Sequence, residues 1–296
     1  MANALTRREF LKHSSAALMA GALYPAAANA DETPSKKRPI KKAIMYATIG
    51  YKGSVMDKFN AVKAAGFEGV EPMSHMNQDE VLKAFEATGL KPASVCCQTH
   101  WGKPLSHPDE RVRREGLEGL LQALKDAKRY GASSVLLVPG VVNDKVPYDE
   151  CFQRAVAQIR QAIPLSTELG VKIAVENVWN DFITKPEQAK AFLDEIDSPQ
   201  VGWHFDIGNC IRYGPAEAWI PVLGKRILKL HIKEYGQFKK FSVHFFEGDN
   251  HWPAIMKALD EIGYKGWGIS EQPGEQSKDE AALKDLSERM DRVFAS

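Results

Sequence analysis

The chain has 296 residues, with 39 basic and 38 acidic side chains, a formal charge of +1, 44% apolar residues and 26% charged ones. So even a balance offers no field for a nucleic acid or an anionic membrane surface, and the apolar fraction is ordinary for a soluble domain. The four cysteines, Cys96, Cys97, Cys151 and Cys210, lack zinc-finger spacing and read as small buried apolar residues.

Residues 1–30 have the parts of an export signal. Thr6-Arg7-Arg8-Glu9-Phe10-Leu11-Lys12 precedes the Ala/Gly-rich stretch Ser14 to Tyr24 and the small-residue site Ala28-Asn29-Ala30. This segment resembles the twin-arginine consensus, which implies passage through the twin-arginine translocation machinery as a folded protein. Its apolar stretch is too short and weak for a stable membrane span. Cleavage after Ala30 therefore predicts a periplasmic or otherwise exported protein with no membrane attachment. Residues 31–42, Lys-rich with Pro34 and Pro39, read as a linker. Residues 43–296 then form one domain, close to the roughly 250 residues usual for an α/β barrel.

Within that domain, apolar runs alternate with amphipathic segments. Strands are predicted at Ala43–Ala47, Gly69–Met73, Ala93–Gln98, Ser134–Pro139, Lys172–Val178, Val201–Ile207, Ile227–Lys233 and Gly266–Glu271. Helical patterns follow, among them VMDKFNAVKAAG, DEVLKAFEATG, ERVRREGLEGLLQALKDAKRYG and FQRAVAQIRQAIPLSTELG. Gly66, Gly89, Gly131, Gly170 and Gly263 stand where left-handed helix caps are expected. Strict alternation argues for a parallel sheet, and eight units are the number that closes a (β/α)8 TIM barrel. An open doubly wound sheet would want a Gly-rich phosphate loop after its first strand. Tyr46 to Gly53 does not supply one.

Four of the later runs, KIAVEN, GWHFD, LKLH and WGISE, end on Glu176, Asp206, His231 and Glu271, about 25 to 40 residues apart. Strand C-termini of such a barrel converge on one mouth. Alternation places Glu176 with Ala174, Asp206 with His204 and Gly202, and His231 with Lys229 and Lys233 on the inward face. Glu271 shares parity with Trp267 and Ile269, and the small Gly268 and Ser270 opposite leave room for a helix to pack closely. Three carboxylates and one imidazole make a mostly oxygen donor set for one divalent metal ion. Mn²⁺, Mg²⁺ or Co²⁺ suits it best, with Zn²⁺ also within range. Such an ion holding a carbonyl and an adjacent hydroxyl makes the neighbouring C–H acidic enough for a carboxylate to remove.

The runs GFEGVEP, AVENV, HFDIGN, LHIKE, the EGD before Trp252, and GISEQ resemble the sugar phosphate isomerase/epimerase superfamily with a xylose-isomerase-like TIM barrel. The resemblance spans nearly the whole mature chain, and the order and spacing of its motifs are the specific signal. It implies that Glu176, Asp206, His231 and Glu271 bind the metal, and that Glu176 and Glu271 are the catalytic pair that moves the substrate proton. It also implies a small-molecule carbohydrate substrate and a homo-oligomer. Three positions depart from the ketose epimerases of that superfamily: Asn209 stands where they carry a substrate-binding His, Phe182 where they have Glu, and Gln237 where they have Arg. The metal site carries over while the substrate shell does not.

Five further residues are expected to bind substrate: Glu71, His100, His204, Asn209 and Lys233. For His204 the other role is to orient a ligand, for Asn209 to cap a helix, and for Lys233 to pair with Glu234. Trp101 and Trp179 are candidate apolar walls, and Glu247-Gly248-Asp249 reads as a turn. The aromatic-rich stretch Tyr235 to Trp252 either covers a substrate larger than one sugar or forms a dimer contact. The expected activity is a metal-dependent isomerase or epimerase acting next to the carbonyl of a non-phosphorylated sugar. The alternatives are a lyase performing β-elimination on a 3-keto-glycoside or keto-polyol by the same proton abstraction, and a sugar-binding protein without catalysis.

Overall fold

Nine parallel strands make one sheet in the computed structural model, which describes residues 37–296. The export signal expected in residues 1–30, and residues 31–36 of the expected linker, lie outside the described residues. The strands are β1 (Ile40–Met45), β2 (Gly69–Glu71), β3 (Lys91–Pro92), β4 (Val95–Cys96), β5 (Ser134–Leu137), β6 (Lys172–Glu176), β7 (Val201–Asp206), β8 (Ile227–Ile232) and β9 (Gly266–Ser270). Between and after them run α1 (Val55–Ala64), α2 (Gln78–Thr88), α3 (Glu110–Tyr130), α4 (Tyr148–Leu169), α5 (Pro186–Ile196), the short α6 (Ile207–Cys210) and α7 (Trp219–Leu223), α8 (Trp252–Glu261) and α9 (Glu280–Ala295).

The sheet order is β3-β2-β1-β9-β8-β7-β6-β5-β4. Its two ends, β3 and β4, share one strand position: β4 falls within the strand predicted at Ala93–Gln98, and β3 directly precedes it. Pro92 has no N–H to give the ladder, which breaks the strand there. β3 pairs with β2 and β4 with β5. The Ala93 amide still donates to Val70 at 2.9 Å and the Cys96 amide to Pro72 at 2.9 Å, so the ring holds together at its seam. Eight strand positions thus form the TIM barrel.

The domain begins earlier than its composition indicates. β1 starts at Ile40, so residues 40–42 belong to the barrel and not to the linker. Lys42 hides this in the sequence. Its stem is buried and its ammonium reaches the Ser287 carbonyl at 3.1 Å and Asp291 at 2.6 Å on α9.

Two apolar layers hold the barrel. Inside the ring, Ala43, Met45, Ala93, Cys96, Leu136 and Ile269 pack together. Outside it, residues of the opposite parity, including Ile173, Val175, Trp203, Phe205, Leu230 and Ile232, bury against the helices. Gly268 faces outward, and a Cβ there would meet the Phe294 ring of α9 at 2.6 Å. Glu271 is thereby on the inward parity. The five expected cap glycines all have positive φ, from 65° at Gly170 to 90° at Gly66. All four cysteines are buried and free. No described helix is long and apolar enough to cross a membrane.

Candidate metal centre and active site

Glu176 ends β6, Asp206 ends β7, His231 is the penultimate residue of β8, and Glu271 follows β9 directly. Register aligns Asp206 with His231, helped by a shift near Trp203 and His204 that pairs His204 with Lys229. One ligand atom from each of the four side chains lies within 4.8 Å of all the others. His231 Nδ1 is 2.8 Å from Glu176 Oε1, 3.4 Å from Glu271 Oε2 and 3.9 Å from Asp206 Oδ2.

So much negative charge in a buried place shifts every member. Burial raises the pKa of Glu176 and, further, that of Asp206. At Glu271 burial acts the same way, but the cations of Lys233 and His231 outweigh it and hold its carboxyl well below the usual range. Burial also opposes a charged His231 ring, yet Glu271, Glu71 and Glu176 overcome it and raise its pKa well above the ordinary value. These coupled shifts mark one electrostatic unit that gains from a cation. Three carboxylates and an imidazole nitrogen converging on one point fit a divalent ion with mostly oxygen ligands.

Two of the expected substrate contacts lie outside the cavity lining. Glu71 and His204 are fully buried beneath the four-residue cluster, and neither lines the cavity above it. Glu71 accepts a hydrogen bond from Ser94 Oγ and one at 3.0 Å from His231 Nε2. That second bond keeps a proton on Nε2 and turns Nδ1 toward the cluster. His204 packs edge-on against His231, with ring centroids 4.2 Å apart. Burial, then the His231 charge, lowers its pKa well below the ordinary value and keeps it neutral. Both residues pack directly against His231.

Above the cluster is a cavity of about 190 Å³. His100, Asn209 and Lys233 line it, together with Glu176 and Glu271. Lys233 Nζ is 2.7 Å from Glu271 Oε2, 3.5 Å from Asp206 Oδ2 and 3.4 Å from Asn209 Oδ1. It therefore points into the site and not at Glu234. Burial disfavours its charge, but Asp206 and Glu271 raise its pKa, so it stays an ammonium. His100 Nδ1 accepts from the Val138 amide at 3.1 Å, which leaves Nε2–H as its donor. Burial lowers its pKa to about 4.

Asn209 is not the helix cap: its amide donates to Asp206 Oδ1 at 2.8 Å, so Asp206 caps α6, while the Asn209 side chain lines the cavity and lies 3.4 Å from Lys233 Nζ. Glu234 takes the opposite direction. It accepts from the Phe246 amide at 2.9 Å, the Asn250 amide at 3.2 Å and Trp252 Nε1 at 2.7 Å, tying down the loop after β8. That loop brings Phe241 to the cavity wall, with Trp179 packed on it at 4.8 Å between ring centroids. Glu247-Gly248-Asp249 is the turn expected there: Asp249 accepts from the Gln237 amide at 2.7 Å.

Phe241 belongs to the aromatic-rich stretch expected to cover a substrate or form a dimer contact, and it lines the cavity. Asn177 had escaped notice, although it stands directly after Glu176 in AVEN. Its side chain accepts from the Asp206 amide at 3.1 Å and from Trp203 Nε1 at 3.0 Å, and donates to the Asp206 carbonyl at 2.8 Å. It thereby clamps the end of β7 to β6. Of the positions that depart from the ketose epimerases, Phe182 is fully buried among Phe152 and Phe192, and Gln237 lies in an exposed turn. Neither lines the cavity.

The chain is similar in sequence and in fold to known proteins. The L-ribulose-5-phosphate 3-epimerase UlaE of Escherichia coli O157:H7 is 24% identical over 244 residues, covering 77% of this chain and 85% of that one. The fold also matches the IolI protein solved with a zinc atom, with a TM-score of 0.73, 20% identity, and coverage of 86% of this chain and 98% of that one. A third match is the 3-keto-D-glucoside 4-epimerase YcjR from E. coli, with a TM-score of 0.71, 16% identity, and coverage of 87% and 100%. Residues 59–293 match the profile of the xylose isomerase-like TIM barrel, and the chain belongs to that family.

Proposed function

We propose that the protein is an exported, divalent-metal-dependent isomerase or epimerase that moves a proton at the carbon next to the carbonyl of a non-phosphorylated sugar or sugar derivative. The observation that carries this reading is that Glu176 and Glu271, from β6 and the end of β9, face one cavity with His231 between them. When bound, a divalent ion held by Glu176, Asp206, His231 and Glu271 supplies Lewis-acid polarisation of the carbonyl. Glu176 removes the proton, its basicity strengthened by burial. Glu271, supplied with a proton by the Lys233 ammonium that donates to its Oε2 at 2.7 Å, returns that proton to carbon from its own side. Lys233 and the Nε2–H of His100 hold substrate oxygens by donating hydrogen bonds. The aromatic walls exclude water, which strengthens each of these interactions.

The absence of phosphate from the substrate rests on charge. Among the described residues lining the cavity, Lys233 is the cation, and it lies beside the carboxylates of Glu271 and Asp206. A neutral hydroxyl can share that ammonium with them, whereas a phosphate there would also meet their repulsion. The same Lys233 supports a second reading, β-elimination, in which its ammonium assists a departing glycosidic oxygen instead of proton return to carbon.

Proton NMR in D₂O tests both, using Mg²⁺-loaded protein with free ketoses and 3-keto-glycosides. Deuterium next to the carbonyl together with a recovered isomer is expected. Glu176→Gln and Glu271→Gln should each reduce exchange by about 10²- to 10⁴-fold. A released aglycone with an unsaturated sugar would select the lyase, and sugar binding with no exchange would leave a binding protein.

A further inference from the structure

The cavity over the metal ligands is small. At about 190 Å³ it falls below the roughly 300–1,000 Å³ of sites that enclose drug-sized ligands. It has room for about one sugar ring, so a group attached to that ring extends toward the rim.

Trp101 stands where such a group would emerge. It lines the cavity and yet is 53% exposed, so its ring straddles the rim. An exposed tryptophan on a loose loop would mean little, but this loop is pinned. Gly116 and Gly119 of α3 lie directly under it: an added Cβ at Gly119 would overlap the Thr99 side chain, and one at Gly116 the Lys103 carbonyl. The Lys103 amide closes the turn on the Thr99 carbonyl at 2.8 Å. His100, anchored on the Val138 amide, holds the Trp101 ring edge-to-face at 5.8 Å and 89°. Two glycines inside a helix are unfavourable by themselves. Here they admit a backbone that presents one aromatic face at a set position beside the reacting ring.

We infer that Trp101 is a specificity-determining residue: its exposed face forms a subsite for a flat apolar group joined to the reacting sugar through a glycosidic oxygen, making glycosides, not free monosaccharides, the preferred substrates. This rests on the proposed function, because the sugar itself is placed by that reading. An aryl aglycone and the apolar face of a second sugar ring share the required chemistry.

Methyl β-D-glucoside, phenyl β-D-glucoside and methyl β-D-cellobioside separate these cases, since each is blocked at its anomeric carbon, has no carbonyl and is inert to the proposed reaction. Their affinities are measured by titration calorimetry on the Mg²⁺-loaded full chain, as wild type, Trp101→Phe and Trp101→Ala. The phenyl glucoside should bind about three- to tenfold more tightly than the methyl one to wild type. The ratio should shrink in Trp101→Phe and fall to about one in Trp101→Ala. A gain shared by methyl β-D-cellobioside assigns the face to a sugar ring, and a gain confined to the phenyl compound assigns it to an aryl group. Equal methyl and phenyl affinities in wild type, or a ratio that survives Trp101→Ala, would overturn the subsite while leaving the sugar reading intact. If none of the three binds, the sugar reading falls and the subsite falls with it.

Discussion

Glu71 and Glu176 look alike in the sequence, each a glutamate closing a short apolar strand. Their chemistry differs because one lies a layer below the other. Glu176 faces the cavity, whereas Glu71 is spent on Ser94 and on His231 Nε2 at 3.0 Å. A carboxylate behind a ligating histidine sets which nitrogen carries the proton and raises the basicity of the other. Glu71→Gln keeps the shape and removes the charge. It should weaken Mn²⁺ binding by about 10- to 100-fold in a calorimetric titration, with little change in far-UV circular dichroism. Wild-type affinity in that variant would mean that His231 is oriented by its other neighbours. The depth of each glutamate was hidden because it depends on the stagger of neighbouring strands, which no single strand encodes.

Secondary elements show the opposite balance, since most of their ends follow from local chemistry. α2, α3 and α4 stop at glycines with φ of 69°, 82° and 65°, where a side chain would be strained. Strand parity also placed Glu176, Asp206, His231 and Lys233 inward, and the structure brings them to one cavity or cluster. Two element boundaries needed more than local rules. The third strand is broken at Pro92, and β1 reaches back to Ile40 because α9 offers partners for Lys42. Helix α3 makes the sharpest test of packing against propensity. Gly119→Ala should gain about 1 kcal/mol of intrinsic helix stability. Overlap with Thr99 should reverse this to a net loss of about 1–3 kcal/mol, read from urea unfolding. A more stable variant would show that the 99–103 loop does not rest on that glycine.

For the molecule as a whole, a buried neutral histidine ties stability to pH. His100 has its pKa lowered to about 4 by burial, against an ordinary 6.5. The unfolded chain therefore binds the proton more readily, and the folded state loses stability as pH falls from about 6.5 through 4. Over that window the loss from this group should reach about 3 kcal/mol. Thermal unfolding followed across that range checks it. His100→Asn keeps an acceptor for the Val138 amide but cannot titrate, so its pH slope should be shallower than wild type. Superimposable slopes would remove His100 from the account.

Alternation of apolar runs, their number, the glycine caps and the inward parity of four ligating side chains are local properties, and the sequence by itself determined them. They were enough for the barrel and for the residues that would hold a metal. Tertiary structure alone decided that Glu71 and His204 support the cluster from below, that Lys233 turns to Glu271 while Glu234 turns away, and that Phe241 reaches the wall. The physical reason is distance along the chain. Those roles depend on which strands become neighbours and how far each is shifted along the next, and on a loop whose position is set by a carboxylate and by two glycines on other elements. Hydrophobic periodicity carries the direction of a side chain but not its height in the barrel or the partner it meets there.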